Sequence, residues 1–139
     1  MKLLYLAAPY AAPTAAGVER NRTRARIMAE YAVRLGFCPV YTHDMPIYGG
    51  SEDVPGVRDR ALAHGLALAE WVAKSGGQMW VLTRDDDSIS DGCRAETERF
   101  MVQPIEIRGR VQQFQPFYAL YLLGRNVPDL AARWQETNL

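Results

Sequence analysis

Apolar positions along the chain fall into two patterns: short continuous runs, and longer stretches in which they recur every three or four residues. Lys2-Leu3-Leu4-Tyr5-Leu6, Phe37-Cys38-Pro39-Val40-Tyr41 and Met79-Trp80-Val81-Leu82 are runs of the first kind. They predict strands, the first buried on both faces and the third also buried. Pro39 weakens the second as a strand, because it removes a ladder donor, and favours a sheet edge for it. Between them, Val18 to Leu35 carries Ile27, Tyr31 and Leu35 on one helical face, and Val57 to Lys74 presents Ala61, Leu62, Gly65, Leu66, Leu68, Ala69 and Val72. Gly36 ends the first of these helices and Gly76-Gly77 the second. Cys93, Glu96 or Thr97, Phe100 and Met101 form one face of a third helix, which begins near Gly92. Pro104 to Arg108 predicts a fourth strand, and Phe117 to Leu123 a short helix or a strand. Pro128 to Glu136 predicts a terminal helix with proline in its first turn.

Strands alternating with helices predict an α/β fold: a three-layer, flavodoxin/Rossmann-like arrangement with a mainly parallel sheet of four to five strands. In such sheets ligands bind beyond the carboxyl ends of the strands, where strand order reverses. If the first and third strands are neighbours, the crevice lies between the loop Ala7 to Gly17 and the loop Thr83 to Gly92.

The second loop leads into the most informative stretch, Asp87-Ser88-Ile89-Ser90-Asp91-Gly92-Cys93-Arg94-Ala95-Glu96. Ser90 or Asp91 can cap the third helix, and Gly92 permits a tight turn there. Glu96 then sits on the inward stripe, and burying a carboxylate is costly unless it is paired or has chemical work. Free N–H groups, a serine hydroxyl and an inward glutamate suggest an anion site beside a nucleophile or base. The alternative is a capped helix whose Glu96 reaches a structural arginine.

Arg20, Arg22, Arg24 and Arg26 crowd the first turns of the first helix, where positive charge opposes the helix dipole by up to ~1 kcal/mol per group. Arg22 and Arg26 fit a solvated face; Arg20 and Arg24 continue the apolar stripe and are the candidates for an anionic ligand. His43, at the start of the Pro- and Gly-rich stretch Thr42 to Gly56, is a candidate polar contact. No further ligands cluster near it, so no metal site is expected.

Composition narrows the function classes without choosing one. The 139 residues are 48% hydrophobic and 23% charged, with 16 basic against 16 acidic side chains. Such a balance gives no broad basic surface for a nucleic-acid polymer. No apolar run approaches the ~20 residues of a membrane span. The start resembles a signal peptide, but Pro9, Pro13 and the polar run after Gly17 cut it short. Cys38 and Cys93 lack metal spacing, which fits free thiols in a reducing cytoplasm. A dinucleotide fingerprint, a Walker loop and a nucleophile elbow are all missing from the sequence.

Tyr5-Leu6-Ala7-Ala8-Pro9-Tyr10, Val18-Glu19-Arg20-Asn21, Gly65-Leu66-Ala67-Leu68, Trp80-Val81-Leu82 and Asp87 to Gly92 with Glu96, in this order and spacing, resemble the nucleoside 2-deoxyribosyltransferase-like superfamily. The likeness is closest to its small bacterial and phage members of unknown function, and it covers roughly residues 2 to 109. The resemblance implies cleavage of an N-glycosidic bond in a nucleoside or nucleoside 5′-monophosphate, with no cofactor. Glu96 would attack the anomeric carbon, and Tyr5 would orient it. Ser90, Asp91 and Gly92 would hold the sugar 5′ group or its phosphate, with Arg20, Asn21 and Arg24 adding charge and polarity. Ala7, Pro9 and Asp87 complete the candidate substrate contacts. Relatives commonly carry glycine in place of Ala8. They also carry an aspartate late in the second helix that helps protonate the leaving base, where Glu70 is the carboxylate available here.

Two functions follow: an N-glycosidase or deoxyribosyltransferase-like enzyme, or a non-catalytic nucleotide-binding protein of the same fold that senses or sequesters. Residues 110–139 form an extension packed on the domain or at an oligomer interface. Phe114, Phe117, Tyr118 and Tyr121, together with the small-residue surface of the second helix, favour a homodimer or higher homo-oligomer. Light scattering at micromolar concentration checks this. A mass of at least two chains is expected, and 15.6 kDa would make the extension an intramolecular cover.

Overall fold

The computed structural model describes residues 2–43, 55–86, 88–101, 105–107, 110–112, 119–122 and 127–138. The elements run β1 (Lys2–Ala7), α1 (Ala15–Arg34), β2 (Phe37–Val40), α2 (Val57–Lys74), β3 (Gln78–Leu82), α3 (Asp91–Met101), β4 (Ile105–Ile107), β5 (Arg110–Gln112), β6 (Ala119–Leu122) and α4 (Ala131–Glu136). Four strands form one sheet in the order β2-β1-β3-β6. Every pairing in it is parallel, with Tyr5 opposite Val40 on one side and Met79 on the other. The protein is therefore an α/β fold on a parallel sheet.

Period two along the strands explains why both faces are covered. Leu4, Leu6, Trp80 and Leu82 point to one side, where α1 supplies Ala25, Met28 and Ala32 and the C-terminal segment supplies Leu130 and Trp134. Tyr5, Ala7, Met79 and Val81 point to the other, against Ala69 and Val72 of α2 and Cys93 and Phe100 of α3. Pro39 lies on β2, the edge strand, as a residue without an N–H requires.

Several expectations shift. Thr14 caps α1 by accepting from the Gly17 N–H at 3.1 Å, so that helix starts three residues before Val18. Of its predicted face, Ile27 is buried and Tyr31 packs on the core beside Ala25, Met28 and Ala32, but Leu35 is 53% exposed. Met101 is likewise exposed, beyond the Cys93–Thr97–Phe100 stripe of α3. The 105–107 strand does not join the main sheet; it pairs antiparallel with β5, and only two residues separate Ile107 from its partner Arg110. That short separation favours a hairpin over a parallel crossover, which needs a dozen or more residues. The fourth strand of the main sheet is β6, from the ambiguous apolar run in the extension. Phe114, Phe117 and Tyr118 lie outside the described residues.

Among the described residues no helix is long and apolar enough to cross a membrane. Residues 127–138 contribute Leu130 and Trp134, 0% and 1% exposed, to the same core as β1 and α1. Trp134→Ala should lower unfolding free energy by about 3–5 kcal/mol in urea titrations. A loss below ~1 kcal/mol would show that this segment packs only loosely.

Candidate functional site

β1 and β3 are neighbours, while β2 lies on the far side of β1. Chain order therefore reverses between β1 and β3, and a crevice opens past their carboxyl ends. Two cavities occupy it. A smaller one, about 110 Å3, has Glu96, Cys93 and Ser90 on one wall, with Ala61 and Leu62 of α2 opposite. Tyr10, Thr42 and His43 also border it, and Arg58 and Arg84 bring cations to it. A larger one, about 460 Å3, shares Ala11 and Arg84 with the first and extends over Pro9, Arg20, Asn21 and Arg24.

The Glu96 carboxyl is the chemical centre of the smaller cavity. It projects from α3 toward the sheet and accepts a hydrogen bond from the hydroxyl of Tyr5, itself 1% exposed. Burial pushes its pKa up from 4.5 to about 7, with the Tyr5 hydrogen bond opposing part of the rise. Space for the pair comes from Gly65 in the middle of α2. A Cβ there would stand 2.5 Å from Glu96 Oε1 and 3.2 Å from the Tyr5 hydroxyl oxygen. Glycine inside a helix costs ~1 kcal/mol relative to alanine, so its place here follows from this close approach.

Ser90 is the helix cap: its Oγ accepts from the Cys93 N–H at 3.2 Å, and its carbonyl from the Arg94 N–H at 2.9 Å. Asp91 and Gly92 form the first turn of α3 at the cavity. Gly92 is not among the described glycines with positive φ, which are Gly36, Gly56 and Gly76. Its backbone is that of a helix rather than of a tight turn, and the nearest atom to an added Cβ would be Leu62 Cδ2 at 3.4 Å. Cys93 is no rival nucleophile. Burial, and secondly the charge of Glu96, push its thiol up to about 12.

Other candidates turn out to support the crevice walls. His43 is buried; its Nε2 donates to the Pro9 carbonyl at 2.9 Å, and Tyr10 meets its ring edge-on. Asn21 donates to the Tyr10 carbonyl at 3.0 Å and the Ala11 carbonyl at 3.4 Å, fixing the loop after β1. Ala7 is fully buried in the sheet. Arg20 is exposed along the larger cavity. Arg24 is buried and paired with Asp85 at 3.2 Å, so the offsetting anion for that arginine lies within the chain. Arg22, expected to be solvated, pairs with Glu19 at 3.5 Å.

Glu70 is not brought to Glu96. It faces Lys74 at 2.8 Å and Arg99 at 3.4 Å, and the Lys74 hydrogen bond chiefly holds its carboxyl below the usual range. An ionised carboxylate on that surface has no proton to give a leaving group. Asp91 is the other described carboxylate bordering the Glu96 cavity. Asp87, and residues 44–54 of the loop after His43, lie outside the described residues.

Arg58, Arg84, Thr42 and Tyr10 were not anticipated. Arg58, in the first turn of α2, carried the same signal as the arginines of α1: a cation where the helix dipole disfavours one. Among the described residues no cluster of three or more potential metal ligands occurs.

Comparison with known families gives one match: residues 2–110 fit a family model described as a domain of unknown function, DUF7768. No curated protein and no solved structure matches the chain.

The Gly65 gap yields a test that needs no knowledge of activity. The Glu96 carboxyl carbon should titrate near pH 7 by NMR, and Gly65→Ala should displace the group toward solvent. Its midpoint should then fall by at least about one pH unit, toward the ordinary 4.5. An unmoved midpoint would show that the helix yields instead of the carboxylate.

Proposed function

The chain belongs to the DUF7768 family, and from its crevice we propose that it cleaves or transfers an N-glycosidic bond of a nucleoside or nucleoside 5′-monophosphate, with Glu96 as nucleophile. The observation that carries this proposal is the carboxylate of Glu96, oriented by a buried tyrosine hydroxyl in a gap that only glycine leaves. An oxocarbenium-like transition state calls for a nearby carboxylate, and a covalent glycosyl intermediate divides the barrier into two steps. Glu96 attacks the anomeric carbon, the bond to the base nitrogen breaks, and its electron pair leaves with the base. Water or an incoming base then releases the sugar from Glu96.

Dimensions and charge support a substrate of this class. The smaller cavity suits a sugar ring, and the larger one lies within the ~300–1,000 Å3 typical of small-molecule sites. Arg58 and Arg84 provide positive charge for a 5′-phosphate beside the first turn of α3. Helices on both faces of the parallel sheet fit the three-layer, flavodoxin/Rossmann-like arrangement of the nucleoside 2-deoxyribosyltransferase-like superfamily. Self-association belongs to the same proposal, supported by Trp71 and Met101, 50% and 54% exposed on α2 and α3.

A second reading, binding without turnover, is favoured by one observation. Glu70 is held by Lys74 and Arg99, away from the crevice, so it does not act as the general acid. Released free base from a panel of nucleosides and 5′-monophosphates decides for the enzyme. Saturable binding with no base release decides for the binding protein.

Glu96→Gln keeps the shape and removes the nucleophile, so base release should fall at least ~10²-fold with folding intact. Unchanged turnover would remove Glu96 from the mechanism. Because the ionised form attacks, the rate should rise with pH through about 7.

Stability should run the opposite way. Glu96 holds its proton more tightly when folded, so stability is highest below pH 4.5 and declines until about pH 7. The full shift is worth roughly 3 kcal/mol, reduced by whatever solvent reaches the carboxyl. Glu96→Gln should therefore raise Tm at pH 8 and have little effect at pH 4.5. Equal Tm differences at both pH values would show that the carboxyl is not desolvated.

A further inference from the structure

Arg24 of α1 gathers two segments far away in the chain onto one guanidinium. Nη1 and Nη2 donate to the two carboxylate oxygens of Asp85, in the β3–α3 loop, at 3.2 and 3.4 Å. Nε donates to Thr137 Oγ1 at 2.8 Å, and Nη2 also to Asn138 Oδ1 at 2.6 Å. The guanidinium lies over the ring of Trp134, 4.9 Å from its centroid. Such a planar, two-pronged pair fixes direction as well as distance, which a lysine ammonium does not.

Asp85 adjoins Arg84, which borders both cavities of the crevice. The Arg84 N–H donates to the Ser88 carbonyl at 2.9 Å, and the Ser88 N–H donates to Asp86 Oδ1 at 3.0 Å. Two residues further on, Ser90 caps the helix that carries Glu96. The loop is thus tied at one end to α3 and at the other, through Asp85, to Arg24.

The geometry points to Arg24 as a positioning residue: it acts through Asp85 to hold the Arg84–Asp86 wall of the crevice, and Thr137 and Asn138 of the C-terminal segment brace its guanidinium. The residues of this brace lie beyond the 2–110 stretch matched by the family, whereas Arg24 and Asp85 lie within it. In this chain the C-terminal segment therefore sets the shape of the substrate wall from outside the crevice. The kinetic consequence rests on the glycosidase reading; the structural one does not.

Hydrogen exchange on the full chain tests the structural part. Thr137→Val combined with Asn138→Ala leaves the Arg24–Asp85 pair in place but removes its brace. Exchange at the Arg84 amide should speed up about 5-fold or more, while amides of β1 and β3 hold their rates. An unchanged Arg84 amide, or an equal acceleration throughout the sheet, would overturn the inference. Arg24→Lys keeps the charge without the fork and should give the same local acceleration. Native exchange in that variant would show that charge alone suffices, and would also overturn it.

Where the native protein releases base, the double variant should raise KM about 3- to 10-fold and leave kcat within about two-fold. An equal loss in kcat would count against a role confined to the wall. A native protein that releases no base weakens the glycosidase reading only, and the exchange rates then decide this inference.

Discussion

A carboxylate held against a sheet and a helix backbone, with a tyrosine hydroxyl as partner, is the constraint that the crevice is built around. Desolvating an ionised carboxylate is unfavourable unless charge or hydrogen bonds offset it. Tyr5 offsets part, and the remainder appears as the raised pKa of Glu96. The constraint reaches into three elements. β1 must carry a tyrosine facing α2 at Tyr5, α2 must lack a side chain at Gly65, and α3 must begin where its second turn delivers Glu96 into the gap. The Ser90 cap sets that start.

The alternation of short apolar runs with helical stripes made the α/β class and the four helices legible in the sequence. The helix α2 falls between the residues its pattern predicted, because Gly56 and Gly76, both at positive φ, bound it. Sheet membership was less legible. Periodicity says that Ile105 to Ile107 is extended but not which edge it pairs with, and a partner only two residues away won over the main sheet. The apolar run at residues 119–122 could not be resolved as helix or strand, since its assignment depends on the open edge of β3.

Within the crevice, the pattern found Glu96 and Ser90 because a capped helix start and an inward acid leave local marks. It could not apportion the arginines. Arg20 and Arg24 share a stripe of α1, yet one is exposed along a cavity and the other is buried against the Trp134 ring and paired with Asp85. The difference is made by residues 61 to 114 positions away, which no local pattern contains. Glu70 shows the converse. A carboxylate at about the right distance along the helix is claimed by Lys74, one turn on, and by Arg99 of α3. Gly65 was visible as a small residue permitting close approach; that the approaching group is a carboxylate is a tertiary fact.

The two faces of the sheet divide the physical work. One packs Leu4, Leu6, Trp80, Leu130 and Trp134 against Ala25, Met28 and Ala32 of α1. The other packs Ala7, Met79 and Val81 against Ala69, Val72, Cys93 and Phe100 around the Tyr5 ring that meets Glu96. A crevice that holds a carboxylate short of solvent weakens the face it occupies, through the charge itself and through a glycine in the covering helix. The opposite face offsets this with apolar burial, at about 25 cal/mol per Å2 removed from water. Leu130 and Trp134 of that face come from the same segment that braces Arg24. Residues 127–138 thus strengthen the core on one side of the sheet and position a loop of the crevice from that side. A change there would be felt in stability and in the crevice together, whereas a change at Gly65 would be felt first in the carboxylate.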